Sequence, residues 1–183
     1  ARLVDDLKRI PDDVVGAIYA ARYWRPGRCE GMPPALAFFH FDACVNHGVT
    51  GAARLLQAAL GVSADGEIGP ETLAAVKRRS ISTLLEKYAE VRRARYRALP
   101  HFWRFGRGWL NRVDKTLAAA RHEKSGEEIS GITHTKGIEN MDMKSLIKQL
   151  DQETFVLDMK NTLSETPSIP GFVIHKKDLQ VLE

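Results

Sequence analysis

Residues 55–73 carry the punctuation that most limits what this chain can fold into. Leu55-Leu56-Gln57-Ala58-Ala59-Leu60 is an apolar helical run, and Asp65-Gly66 is a tight-turn pair. Gly69-Pro70-Glu71-Thr72-Leu73 then opens a second helix. Gly61 suits the left-handed residue that ends a helix. Asp65-Gly66 suits a turn that needs positive φ. Pro70 suits the first helical position, where its missing N–H is no loss. The expected order is helix, tight turn, helix.

The rest of the first two thirds reads the same way, and the chain is expected to be all-α. Residues 12–24 form a helix that Asp12 or Asp13 can cap, with Val14, Val15, Ile18 and Tyr19 as its apolar stripe. After a loop marked by Gly27, Gly31, Pro33 and Pro34, a helix over 34–47 carries Leu36, Phe38, Phe39, Phe41 and Val45. It is apolar on most sides, the mark of a central buried helix. Thr50 caps a helix over 51–60, and Pro70 opens one that ends near Lys77. The longest pattern covers 80–98, with Arg92, Arg93, Arg95 and Arg97 towards its end, where cations complement the helix dipole. Pro100 stops it. Residues 101–109 read as a glycine-bearing loop before a last helix over 109–121.

Composition changes near residue 121. Up to Lys124 there are 21 Lys and Arg against 13 Asp and Glu; from Ser125 there are 6 against 10. All arginines lie at or before Arg121, and alanine becomes scarce after Ala120. We therefore divide the chain into a helical domain over 1–121, a linker over 122–141 and an appendage over 142–183. The appendage has helical spacing over 142–163, with Asp142 as cap, and an extended, partly apolar end at 169–175. It is the segment expected to dock a protein partner.

No stretch approaches the roughly 20 apolar residues of a membrane span. The start, Ala1-Arg2-Leu3-Val4-Asp5-Asp6, lacks the apolar core of a signal peptide and an initiator Met, as a processed or truncated chain would. Cys29 and Cys44 make neither a disulfide framework nor a metal-site motif. Cys44 reads as a core residue, and a Cys29–Cys44 bond stays open. His40, His47, His101 and His122 show no metal-ligand spacing, so no metal or cofactor is expected.

Several residues are candidates for a site. Asp42 and Asn46 lie four apart on one face of an apolar helix, so they either line a polar cleft or tie down a neighbouring loop. Tyr23, Trp24, Trp103 and Trp109 offer the flat apolar faces and polar edges that sugars favour, or they seal helix ends. In Phe105-Gly106-Arg107-Gly108-Trp109 the glycines would let backbone approach a ligand, and Arg107 could bind an acidic group. The arginine row on 80–98 is a solvated face or a contact for an anionic polymer. No nucleic-acid module is present, and no nucleic-acid partner is expected. A glycosidase needs two carboxylates flanking the scissile bond. No convincing acid/base pair is visible.

In order along the chain stand Tyr23-Trp24, Phe41-Asp42-Ala43-Cys44-Val45-Asn46-His47-Gly48, Ala53-Arg54-Leu55-Leu56-Gln57, Leu60-Gly61-Val62, Asp65-Gly66-Glu67-Ile68-Gly69-Pro70-Glu71-Thr72, and Phe105-Gly106-Arg107-Gly108-Trp109 with Arg112. This set resembles the C-terminal, peptidoglycan-binding half of glycoside hydrolase family 108. That family contains phage endolysins and secretion-associated N-acetylmuramidases with an all-helical, lysozyme-like fold. The resemblance covers about residues 5–121. It implies that Asp42, Asn46, Gln57, Tyr23 and Trp109 belong to the substrate cleft or its support. Members carry their catalytic Glu in an N-terminal Glu-Gly-Gly-Tyr-type motif that nothing here matches. No catalytic residue is therefore carried over.

Three functions follow as expectations. The first is a peptidoglycan-binding or virion structural protein that does not cleave. The second is an active muramidase, cutting MurNAc–GlcNAc β-1,4 bonds, whose catalytic part lies outside this chain. The third is a basic helical protein that binds nucleic acid. The first two act at the bacterial cell wall or periplasm, with virion association as one route.

Overall fold

The computed structural model describes residues 12–125. Among them are six α-helices and no strand: α1 (Asp12–Tyr19), α2 (Pro34–His47), α3 (Val49–Leu60), α4 (Pro70–Lys77), α5 (Ile81–Arg97) and α6 (Phe102–Ser125). The proposed linker beyond Ser125 and the appendage at 142–183 lie outside the described residues, and so does everything before Asp12.

α2 is the centre of the core. Eleven of its fourteen residues are buried, on all sides of the helix. An all-round apolar sequence can be accommodated only by neighbours on every face. α3 and α6 pack along it, α5 crosses it, and the segment before it folds back over one end. α5 and α6 form an adjacent pair and α3 also packs on α5.

That returning segment is built from irregular turns. After α1 the backbone widens into a π-helical turn, Ala20–Trp24, which turns Trp24 inward to an edge contact with Phe41. Arg28 adopts φ 54°, the one non-glycine residue with positive φ among those described. A short 3-10 turn, Cys29–Gly31, follows and delivers the Cys29 side chain into the core.

The turn chemistry of 55–73 is realised residue for residue. Gly61 (φ 72°) closes α3: its N–H donates to the Ala58 carbonyl and Val62 N–H donates to the Gln57 carbonyl, the paired pattern of a Schellman end. Gly66 has φ 91°, and a Cβ there would lie 2.7 Å from Thr50 Cγ2. Pro70 is the first residue of α4, as expected.

Two boundaries differ from the sequence reading. Thr50 is not the cap of α3. Gly48, at φ 72°, separates α2 from α3, and Thr50 lies inside the helix. The segment 101–109 is not a loop: α6 begins at Phe102, seven residues early, and also runs on past Arg121 to Ser125. Its glycines pointed to a loop on propensity alone. In the fold the Phe102 ring lies over Gly106, one turn on, where any Cβ would come within 2.4 Å of Cε2. Side-chain packing therefore overrides the weak helix propensity of glycine.

Candidate functional site

The residues singled out on α2 meet α5 and α6 at one point. Asp42 is fully buried. Arg92 of α5, also fully buried, donates through NH2 to Asp42 Oδ2 at 2.5 Å. Arg112 of α6 donates through Nε and NH2 to Oδ1, both at 2.9 Å. Asn46 Nδ2 adds a bond to the Asp42 carbonyl at 2.6 Å and a longer one to Oδ1 at 3.3 Å. Burial alone would raise the Asp42 pKa, but the two guanidinium groups outweigh it and hold the carboxyl below its ordinary value. The arginines thus favour the ionised form of Asp42, the opposite of what a general acid needs. This carboxylate ties together three helices, and Asn46 one turn on bonds back to it.

Arg92 further donates to the Phe39 carbonyl at 3.5 Å, and its guanidinium lies 4.7 Å from the Phe39 ring centre. It therefore does not belong to an arginine face. Its neighbour Arg93 pairs with Asp114 at 2.5 Å and Glu90 at 2.6 Å. Arg92 and Arg93 thus leave the row, while Arg95 and Arg97 stay exposed at the end of α5. A groove of about 460 Å³ between the end of α3 and the flank of α5 mixes Arg79 and Lys87 with Glu86 and Glu90. It has no single-sign character.

Beside the Asp42 centre an aromatic row runs outward. His47 contacts Tyr96 (ring centres 4.7 Å), Tyr96 stacks on Trp109 (5.2 Å, 23° between planes), and Phe105 follows (5.8 Å). Burial drives the His47 pKa down to about 3, helped by the charge of Arg92, so the imidazole is neutral. Trp109 is half-buried in this row, and Arg107 is exposed on the same helix. Trp103 is 80% exposed and lies one helical turn before Arg107. Tyr23 stands apart, half-buried against Tyr19 (5.6 Å).

Gln57 occupies a second centre. It is buried, and its Oε1 accepts the Gly66 N–H at 2.9 Å. Its Nε2 faces Asp65 Oδ1 (2.6 Å), the Glu67 carbonyl (3.0 Å) and Thr72 Oγ1 (3.2 Å). Asp65 Oδ1 also accepts the Glu67 N–H at 2.9 Å. The hydrogen bonds from the Glu67 backbone and from Gln57 hold the Asp65 pKa down. Gln57 is the internal template of the turn.

The six proposed contact residues therefore divide. Asp42 and Gln57 are enclosed and can act on a ligand only by supporting others, and Asn46 is tied to Asp42. Tyr23, Arg107 and Trp109 retain surface. Sequence reasoning missed that Arg92 and Arg112 were the partners of Asp42. The available signal was the rule that a buried charge must be paired. It also missed that Cys29, His40 and Cys44 come together: one ligand atom from each lies within 4.8 Å of the others, and all three residues are fully buried. The i, i+4 spacing of His40 and Cys44 on α2 was a visible hint. Both cysteines are free thiols.

An all-helical domain with a buried carboxylate–arginine centre, a templated Asp-Gly turn and an aromatic row is the product of these residues. Two family models match separate parts of the chain. Residues 1–48 match the model for glycosyl hydrolase 108, and residues 51–114 match that for a predicted peptidoglycan domain. The solved structure of Brucella abortus SagA is similar at 27% identity and a TM-score of 0.63, over 67% of this chain and 71% of that one. No curated protein matches the chain. Among the described residues no helix is long and apolar enough to cross a membrane.

Proposed function

We propose that this chain is a peptidoglycan-binding protein of muramidase descent that grips cell-wall glycan without supplying the cutting acid itself. The observation that carries this reading is the peptidoglycan-domain match over 51–114, which contains the Gln57-templated turn and the Tyr96, Phe105 and Trp109 rings of the aromatic row. Trp103, Phe105 and Trp109 offer apolar ring faces to sugar, and Arg107 offers a cation to the carboxylates of lactyl or peptide groups. Asp42, steadied by Asn46, fastens α6 through Arg112, and Gln57 shapes the Asp65-Gly66 turn. Tyr23 borders the same domain from the α1 side. Several described carboxylates are already engaged: the ionised Asp42 is paired with Arg92 and Arg112, Asp65 is held in its turn, and Asp114, Glu86 and Glu90 pair with arginines.

The second reading is an active muramidase that hydrolyses MurNAc–GlcNAc bonds with a catalytic Glu outside this chain. The glycosyl hydrolase 108 match over 1–48 favours it. One experiment separates the two. The 183-residue chain is incubated with purified sacculi, and both co-sedimentation and new reducing ends are measured. Co-sedimentation without reducing ends supports the first reading; release of reducing ends by the chain alone overturns it and puts a cutting acid within the chain. Release only when a Glu-Gly-Gly-bearing catalytic part is added supports the second; no co-sedimentation and no release removes the first. We further propose that residues 142–183 dock a protein partner of a phage or secretion assembly, and that proteolysis cuts first between about Arg121 and Asn140. A junction as resistant as α6 would refute that division.

A further inference from the structure

We infer that Cys29, His40 and Cys44 form a binding site for a soft d10 metal ion, Zn²⁺ or Cu⁺, that fastens the 25–33 segment to the central helix. Two thiols and an imidazole, fully buried, with their ligand atoms all within 4.8 Å, are the donor set such ions select. The Cys44 Sγ to His40 Nε2 distance is 3.5 Å. Two ligands around a tetrahedral ion, with bonds of about 2.3 Å to sulfur and about 2.0 Å to nitrogen, stand about 3.5 Å apart.

The imidazole is also turned the way a ligand must be. Tyr88 Oη donates its one proton to the Ala52 carbonyl at 3.1 Å, so it accepts from His40 Nδ1–H at 2.8 Å. That leaves the proton on Nδ1 and aims the Nε2 lone pair at the sulfurs. A hydrogen-bonded second nitrogen that fixes tautomer and ring plane is the usual support of a metal-bound histidine. Gly27 lies over the pair, and a Cβ there would come within 2.8 Å of Cys44 Sγ and 3.3 Å of Cys29 Sγ. A side chain at this position would occupy the space beside the sulfurs. With three protein donors in an enclosed site, Cu⁺ is satisfied as three-coordinate, whereas Zn²⁺ needs a fourth donor.

The test uses the full chain, reduced with a non-chelating phosphine and shown by thiol titration to carry two free thiols. Co²⁺ reports the Zn²⁺ arm through its thiolate-to-metal charge-transfer absorption, and a Cu⁺ chelator competition reports the other. We expect one ion per chain in at least one arm and a raised melting temperature on binding. Cys44→Ser and Cys29→Ser should abolish the thiolate band while circular dichroism keeps its helical signal. Tyr88→Phe, which leaves all three ligands in place, should weaken affinity by about 10- to 100-fold. Absence of binding in both arms overturns the proposal, as does an unchanged thiolate band in either serine variant. A chain with its thiols joined as a disulfide that reduction frees without restoring metal binding also overturns it. Should a serine variant unfold, Tyr88→Phe binding as tightly as wild type is decisive against the site.

Discussion

Arg92 and Asp42 face each other at 2.5 Å with both side chains fully withdrawn from solvent, fifty residues apart in the chain. Arg112 closes the other side of the same carboxylate. This centre joins α2, α5 and α6, and it governs how the domain answers mutation.

Asp42→Ala leaves Arg92 as an uncompensated buried cation. Breaking such a pair by removing one partner costs about 3–5 kcal/mol. Urea unfolding of the variant should show a loss in that range, against a smaller loss for Arg112→Ala, which leaves the Asp42 carboxylate still paired with Arg92. Equal or negligible losses would refute the assignment of Asp42 as the anchor.

Acid should weaken the domain in two stages. His47 has an ordinary pKa of 6.5 lowered to about 3 in the fold, so below pH 6.5 the unfolded chain binds a proton that the folded chain refuses. Stability then falls as pH drops through that window, by at most about 1.4 kcal/mol per unit. Asp42, also lowered, adds its loss only below its ordinary value of 3.8. Unfolding measured from pH 7 to 4 should slope downward in wild type and flatten in His47→Gln. An unchanged slope in the variant would assign the effect elsewhere.

Gln57→Ala removes a side chain that joins α3 to Asp65, Gly66, Glu67 and Thr72. It strands the buried Gly66 N–H. The expected cost is about 1–3 kcal/mol. Binding to sacculi should fall with it if the turn shapes the wall-binding surface. Full binding by a stable Gln57→Ala protein would separate the turn from function.

The two glycines of α6 should respond with opposite sign. Alanine at Gly108 meets open space and should stabilise the helix by up to about 1 kcal/mol. Alanine at Gly106 must displace the Phe102 ring and should destabilise. Thermal melts of the two variants in parallel decide this; a gain at both positions would mean that the Phe102 ring yields freely.

Trp103→Ala should leave stability within about 0.5 kcal/mol, since the ring is 80% exposed. The proposed wall-binding role requires that it weaken sacculus pelleting. If pelleting is unchanged in both Trp103→Ala and Arg107→Ala, the ligand surface lies elsewhere.

Local chemistry was the readable part of this molecule. Gly61, Gly66 and Pro70 each satisfy a backbone requirement within a few residues, so the helix ends around them were legible without any neighbour. The burial of α2 was legible too, because an apolar surface on all sides admits one solution. α6 was not: whether Gly106 weakens a helix or receives a ring depends on where Phe102 turns. Asp42 stood out as a polar group in an apolar helix, yet its meaning lay in arginines fifty and seventy residues away. Arg92 itself was misplaced on a surface row because a charge in isolation reads as exposed.

The amino-acid order by itself determined the all-helical class, most helix ends and the turn chemistry of 55–73, all of which rest on short-range patterns. Only the tertiary structure decided which candidates are buried supports and which keep a surface. It alone showed that Cys29 meets His40 and Cys44. Both depend on long-range closure, in which helices brought together by burying apolar surface force distant polar groups to find partners in one another.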